Sequence, residues 1–197
     1  MCIRDRPNIS IVPGPPEIWV AVIPSTITCG ETLSLKIKAE DMWGNPTNQA
    51  VKKIIPKTNQ PIKNLPKFIN IKKGDLATVV SGLMVNSTGT LEMKLYSPDG
   101  SLVATCNPSK VFNSSILKNY WGDLHGQSEE TLGTNSATDY FAFGRDLAFL
   151  DACAHQGNDF QMTDTFWKDL NKITAQFNED GQFVTLPGYE WSGNTAL

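Results

Sequence analysis

Residues 120–127 read YWGDLHGQ, and the organisation of the second half of the sequence follows from this stretch. A short aromatic and aliphatic run ends in Asp123 and His125. A glycine then opens a polar loop, a pattern typical of a buried strand leaving a sheet. The stretch therefore predicts a strand whose last residues bear a carboxylate and an imidazole at a sheet edge.

Two later segments repeat this pattern. Residues 149–155 end in His155, and residues 182–190 end in Glu190. Stretches with helical spacing lie between the segments, so the predicted order is strand, helix, strand, helix, strand. Such alternation favours parallel strands joined by right-handed crossovers, which places all three strand ends on one edge. Imidazole and carboxylate groups gathered there would suit a divalent metal.

Local signals place the two helices. The first is predicted to begin after Ser136, with Asp139 three residues later to satisfy an amide of the first turn. Its predicted apolar side consists of Tyr140, Phe143 and Leu147. The second is predicted to begin near Thr163 or Asp164. Its predicted apolar side consists of Phe166, Leu170, Ile173 and Phe177.

The first half of the sequence shows no helical period. Short strands separated by turn signals predict an antiparallel, immunoglobulin-like β-sandwich over residues 7–107. The clearest strand is TLSLKIKAE at 32–40, in which apolar and polar residues alternate. Within residues 50–73 the pattern indicates only a short strand near 68–71. The phrase KAEDMWGNP at 38–46 resembles bacterial immunoglobulin-like repeats, and we interpret this half as a spacer or packing module rather than a binder.

The predicted domains are the sandwich at 7–107, a linker at 108–119 and a catalytic-type domain at 120–197. Residues 1–6, MCIRDR, resemble a translated adapter remnant and are left out of the fold prediction. No apolar run is long enough to predict membrane insertion. No signal peptide is visible, the predicted β-sandwich is compatible with a periplasmic or secreted location, and the compartment stays undecided.

Charge is divided unevenly along the chain. Residues 7–112 hold eleven lysines and seven acidic residues, whereas residues 113–197 hold four basic and twelve acidic residues. The lysines are dispersed on alternating strand positions, which argues against nucleic acid as a partner. The acidic second half favours a cation.

Three segments carry a family resemblance: YWGDLHGQSEETLGT at 120–134, FLDACAHQGNDFQMTDTFW at 149–167 and FVTLPGYEWSGNT at 183–195. They resemble successive motifs of the domain of unknown function 3604, which is itself similar to the polymerase and histidinol phosphatase (PHP) superfamily of metal-dependent phosphoesterases. The resemblance implies the first β-α-β-α-β part of a truncated (β/α) barrel. It also implies two or three divalent ions, zinc, manganese or iron, in a complete parent.

The resemblance also assigns site residues by position. His125 matches the first histidine of a His-x-His motif and would be a metal ligand. Gln127 stands where the second histidine belongs, and Glu190 matches a glutamate that bridges metals. Residues 157–158 are Gly-Asn where the superfamily has Asp-His. Either His155 substitutes for that ligand or the metal position is altered or lost.

If metals are present, the implied chemistry is hydrolysis of a small-molecule substrate, such as a phosphoester, by metal-activated water. Asp123 is predicted to orient His125, unless it only bonds a backbone amide. Asp159 or Asp164 is predicted to assist proton transfer. Fewer than eighty residues follow Tyr120, too few for a closed barrel, so the fragment is expected to be inactive alone.

Two other interpretations compete with the hydrolase. The chain is alternatively a non-catalytic surface or carbohydrate-associated binding protein with a degenerate barrel, which the Gln127 and Gly157-Asn158 departures favour. A thiol hydrolase using Cys153 and His155 is disfavoured because Cys153 lies in an apolar run without an activating cation. The sequence leaves the oligomeric state open.

Overall fold

The computed structural model describes residues 12–114 and 117–193. The residues predicted to be an artefact, 1–6, lie outside this range. The chain forms two compact units. The first contains the segment ending at Ile23 and Gly30–Pro108, and the second contains Pro24–Cys29 and the chain from Ser109 onward. No helix among the described residues is both long and apolar enough to cross a membrane.

The elements follow in this order: β1 Ile18–Val22, β2 Thr26–Thr28, β3 Thr32–Glu40, β4 Lys52–Thr58, β5 Ile62–Lys63, β6 Ile69–Ile71, β7 Ala77–Val85, β8 Gly89–Leu91, β9 Met93–Tyr96, β10 Leu102–Thr105, β11 Ser109–Phe112, β12 Gly122–Gly126, α1 Ala137–Asp146, β13 Ala152–His155, β14 Gly157–Asn158, α2 Asp164–Phe177, β15 Val184–Leu186 and β16 Tyr189–Glu190. A single 3₁₀ turn spans Asp159–Gln161 between β14 and α2.

Two antiparallel sheets build the first unit, in the strand orders β1-β3-β7-β5 and β10-β9-β4-β6. In β3 the residues Leu33, Leu35, Ile37 and Ala39 are buried and alternate with partly exposed ones, as predicted. This period of two buries one face of the strand and leaves the other to solvent. The prediction of an antiparallel, mainly β first half is confirmed.

A buried carboxylate fixes the turn after β3. Asp41 accepts hydrogen bonds from the backbone amides of Gly14, Trp43 and Asn45, each at 2.9 Å, and from the side-chain amide of Asn45. These donors, the Gly14 amide above all, lower the pKa of Asp41 to about 2. Gly44 takes a positive φ of 84°, which glycine adopts without strain. The DMWGN segment is therefore a structural turn.

Strand β4 was missed by the sequence analysis, which expected only the strand near 68–71. Lysines and Pro56 obscure its alternation, in which Ile54 and Pro56 are buried. Proline is tolerated because β6 pairs only with Lys52–Ile54, and beyond Ile54 the backbone pairs with β9 alone. Pro56 therefore lies beyond the β4–β6 ladder and does not interrupt it.

The predicted linker at 108–119 also needs correction. Its residues 109–112 form β11, which pairs in parallel with β2, so that Lys110 lies opposite Thr26 and Phe112 opposite Thr28. Ser109 and Val111 are buried in this pairing. The partners are more than eighty residues apart, and no local pattern marks a pairing of two such short segments.

The second unit contains the three parallel strands that the sequence predicted, in the order β12-β13-β15. Gly122 lies opposite Ala152, and Ala152 lies opposite Val184. Helices α1 and α2 connect consecutive strands. The β-α-β-α-β order is thus present, whereas its membership of a barrel stays a prediction.

Helix α1 begins as predicted, and its buried side is shifted from the predicted one. Ser136 caps it through a reciprocal capping box with Asp139. Its fully buried residues are Ala137, Phe141 and Gly144. Of the predicted apolar set, Tyr140 packs against the core, whereas Phe143 is exposed. The small residues matter because the helix lies close to the sheet: a Cβ at position 144 would come within 2.5 Å of the Cys153 sulfur.

Helix α2 agrees with its predicted apolar side. Thr163 is its N-cap and accepts a hydrogen bond from the amide of Phe166. Leu170 is fully buried in the core of the second unit. That core consists of Ala137, Phe141, Cys153, Leu170 and Phe183, with Phe166, Ile173 and Phe177 packed against it among others.

Candidate functional site

The carboxyl ends of the parallel strands bring two predicted ligands together. His125 is near the end of β12, and Glu190 lies in β16, just after β15. The imidazole Nε2 of His125 lies 3.7 Å from Oε1 of Glu190, and both side chains are substantially exposed, at 72% and 44%. This pair offers one nitrogen and one carboxylate to the solvent side of the sheet edge.

Asp123 contacts the backbone of His125. Its Oδ1 accepts the His125 amide proton at 2.9 Å. Of the two roles predicted for Asp123, orienting the His125 ring or bonding a backbone amide, the structure has the second. The carboxylate braces the irregular part of β12 that contains His125, and its hydrogen bond is made to the backbone instead of the imidazole.

Gln127 is engaged by neighbouring side chains. Its amide nitrogen donates to Oδ1 of Asn158 at 2.9 Å, and its amide oxygen accepts from the Thr131 hydroxyl at 3.2 Å. Asn158 lies opposite Glu190 in the β14–β16 pair. The Gln127 amide therefore links loop and strand, and the ligand role that its position implied stays a prediction.

His155 lies inside the second unit and is fully buried. Its Nδ1 accepts the Gly157 amide proton at 3.2 Å, so Nε2 bears the proton of the neutral ring and donates to the Ser128 hydroxyl at 2.8 Å. Burial lowers the pKa of His155, against a smaller opposing effect of Glu130. Both ring nitrogens are thus used within the protein, which disagrees with the predicted role of His155 as a metal ligand.

The Gly-Asn departure at 157–158 has a steric reason. A Cβ at position 157 would lie 2.4 Å from Cγ2 of Thr131 and 2.9 Å from Cε1 of His155. No side chain fits there without displacing the loop that holds Gln127. An aspartate, which the resemblance would place at this position, is therefore incompatible with the observed packing.

Asp159 forms hydrogen bonds with the loop after β16. Its Oδ1 accepts the Ser192 hydroxyl at 2.6 Å and the Phe160 amide at 2.8 Å, and its Oδ2 accepts the Ser192 amide at 3.2 Å. These donors, led by the Ser192 hydroxyl, lower the pKa of Asp159. These hydrogen bonds favour the ionised form of the Asp159 carboxylate, and its assistance in proton transfer stays a prediction.

Across residues 12–114 and 117–193, no group of three or more histidine, cysteine, aspartate or glutamate side chains is arranged to hold a metal. His125 and Glu190 match the donors that zinc and manganese prefer, and they would fill two coordination positions.

The sequence analysis missed an aromatic cleft beside this edge. The cleft has a volume of about 470 Å³, and its walls include four aromatic rings and two carboxylates. These side chains are Phe160, Trp167, Tyr189, Trp191, Asp159 and Asp164. The available sequence signal for this cleft was the pair Tyr189 and Trp191, which flank Glu190.

The cleft combines anchored and exposed rings. Trp167 and Tyr189 meet edge to face with centroids 5.9 Å apart, and they belong to α2 and β16. Phe160 and Trp191 are 68% and 71% exposed. Exposed rings grouped around a concavity are typical of a ligand or partner site.

Comparison with known proteins gives distant relatives. No family model matches the chain. An uncharacterized protein of Chlamydia pneumoniae is 25% identical over 180 residues, which cover 88% of this chain and 28% of the relative. Matches to Chlamydia trachomatis and Chlamydia muridarum also cover 28% of those proteins. The chain therefore spans little more than a quarter of the length of the curated relatives it matches.

Two solved structures overlap about half of the chain. The D00-D0 domain of intimin shares 10% identity and a TM-score of 0.38, covering 54% of this chain and 52% of that domain. The Yersinia pseudotuberculosis adhesin InvE shares 13% identity and a TM-score of 0.36, covering 54% of this chain and 31% of the adhesin. With such low TM-scores, the fold assignment rests on the strand pairing given above.

Proposed function

We propose that this chain is a non-catalytic, carbohydrate-associated binding part of a longer surface protein. The observation that supports the proposal is the aromatic cleft between the start of α2 and the segment around β16. Its volume of about 470 Å³ lies in the range of small-ligand sites. The predicted catalytic groups Asp123 and Asp159, and the predicted metal ligand His155, make hydrogen bonds within the protein.

The chemistry of the cleft suits a sugar. Aromatic rings such as those of Trp167 and Trp191 provide flat apolar surfaces for the C–H faces of a pyranose. The carboxylates of Asp159 and Asp164 provide acceptors for hydroxyl groups at the rim. Apolar faces and a few polar groups within one concavity are the usual composition of a small-molecule site.

We expect Trp191→Ala to weaken glycan binding about tenfold or more, because the ring is exposed and lines the cleft. The matched control is Trp43→Ala, which removes an equally exposed ring from a turn of the first unit. A glycan array followed by calorimetric titration measures both. Equal binding by the two variants, or no binding of any glycan by the wild-type chain, would contradict the proposal.

A metal-dependent hydrolase, phosphoesterase-like and related to the domain of unknown function 3604 and the PHP superfamily, is the second candidate. Its specific support is the His125–Glu190 pair, 3.7 Å apart at the carboxyl edge of parallel strands. A divalent ion bound there would lower the pKa of a bound water. Further ligands would have to come from a longer protein, and catalysis of a phosphoester substrate would be a property of that protein.

For this candidate we expect His125→Ala to weaken Zn²⁺ binding to the chain by about tenfold or more, since one of two ligands is lost. Asp146→Asn is the control, because its carboxylate pairs with Arg145 on α1, away from this edge. Competition titration with a chromogenic chelator measures both affinities. Unchanged zinc affinity in His125→Ala would eliminate the hydrolase candidate.

A further inference from the structure

We propose that the aromatic cleft selects a cationic amino sugar, with a protonated amine, over neutral and acidic glycans. The inference rests on the proposed carbohydrate-binding function and adds the charge of the ligand. The inference rests on the two carboxylates that line the cleft and on the absence of a lysine or arginine among the described lining residues to neutralise them.

The lining is acidic. Asp159 and Asp164 both line the cleft, and none of the described lining residues is lysine or arginine. Asp159 accepts three hydrogen bonds, from the Ser192 hydroxyl, the Ser192 amide and the Phe160 amide. Because an ionised carboxylate offers about four acceptor sites, it retains capacity for a ligand donor.

Asp164 is the more available carboxylate. It is exposed at the first residue of α2, and the described residues make no hydrogen bond or ion pair with its side chain that the structure records. The positive end of the α2 dipole lies nearby and offsets about half an elementary charge. The two carboxylates exceed this offset, so a net negative charge faces the ligand.

The rings favour the same ligand. A cation held over the face of tryptophan, tyrosine or phenylalanine is attracted by the negative face of the ring, and tryptophan is the best of the three. Trp167, Tyr189 and Trp191 line the cleft together with the carboxylates. The charge of a bound ammonium group can therefore gain from both kinds of partner, whereas a neutral sugar has ring contacts and hydroxyl hydrogen bonds but no charge–charge attraction to the carboxylates.

The acidic charge of residues 113–197 as a whole also favours a cationic ligand. Residues 113–197 hold twelve acidic and four basic side chains, a net charge of −8 with neutral histidine. A surface with this excess attracts cationic ligands and repels acidic polysaccharides, and salt screens the effect. Lys168 follows Trp167 in the sequence but does not line the cleft.

The test compares glucosamine oligomers with N-acetylglucosamine oligomers of equal length on the full chain. Calorimetric titration is done at low salt, at a pH that protonates the amine and leaves the protein folded by circular dichroism. We expect the glucosamine oligomer to bind about tenfold tighter, and this preference to shrink as salt is added.

Two variants separate charge from ring contact. Asp164→Asn should weaken glucosamine binding about fivefold and leave N-acetylglucosamine binding unchanged, whereas Trp191→Ala should weaken both. Equal affinity of the wild type for the two oligomers, or an unchanged preference in Asp164→Asn, would overturn the charge selectivity while the binding function stands. If neither oligomer nor any other glycan binds, both proposals fail.

Discussion

We expect Phe141→Ala to lower the free energy of unfolding of the second unit by about 3–5 kcal/mol. Phe141 is fully buried in the core shared by α1, α2 and the parallel sheet. Its ring lies 5.2 Å from that of Tyr140 and 5.8 Å from that of Phe177, between centroids. Truncation removes these contacts and leaves a cavity. Domains of this size are stable by about 5–15 kcal/mol, so this loss is a large share of the free energy of unfolding.

The matched control is Phe143→Ala on the same helix. Phe143 is 49% exposed, and the sequence pattern had placed it on the buried side. We expect its truncation to cost less than about 1 kcal/mol. Urea unfolding followed by tryptophan fluorescence measures both variants. A larger loss in Phe143→Ala than in Phe141→Ala would mean that the apolar side predicted from sequence is correct and the observed helix orientation is wrong.

The features predicted correctly from sequence are those that depend on local sequence patterns. The alternation in β3 needs only neighbouring residues, and the caps at Ser136 and Thr163 need only three. The parallel order of β12, β13 and β15 follows from the alternation of element types. The first two signals lie within single segments, and the third needs only the order of the elements along the chain.

The features that were missed depend on distant partners. The side of α1 that is buried is decided by Cys153 on the sheet, which requires a glycine at 144, and no pattern within the helix shows this. Strand β2 exists because β11 pairs with it from far along the chain. Secondary-structure propensity and hydrophobic periodicity carry no information about such tertiary contacts.

At the candidate site too, the sequence predicted the position of the backbone but not the direction of every side chain. Topology correctly brought His125 to Glu190, because parallel strands end on one edge. The same reasoning placed His155 there as well, yet its side chain turns inward to Ser128 and Gly157. Strand ends fix where a backbone leaves the sheet, and the direction of a side chain depends on local register, which is irregular between Asp123 and Gly126. The aromatic cleft joins residues about thirty positions apart and lacks a motif.

His155 provides the second prediction of large effect. We expect His155→Leu to lower the free energy of unfolding by about 2–4 kcal/mol, since leucine leaves a buried hydroxyl and a buried amide without partners. These groups are the Ser128 hydroxyl and the Gly157 N–H. The substitution also removes the edge-to-face contact with Phe166, whose ring centroid lies 5.4 Å from that of the imidazole. Urea unfolding at neutral pH measures the loss.

The same residue makes the second unit sensitive to acid. Because burial depresses the pKa of His155 in the folded state, the unfolded chain takes up a proton first as the pH falls below 6.5. Wild-type stability should therefore be greatest above pH 6.5 and decline from there down to the pKa of the folded state. His155→Leu should lack this decline, and His125→Leu, which alters an exposed ring, should retain it with nearly wild-type stability. A wild-type protein whose stability is flat below pH 6.5, or a His125→Leu variant as unstable as His155→Leu, would show that His155 is not the buried neutral histidine described here.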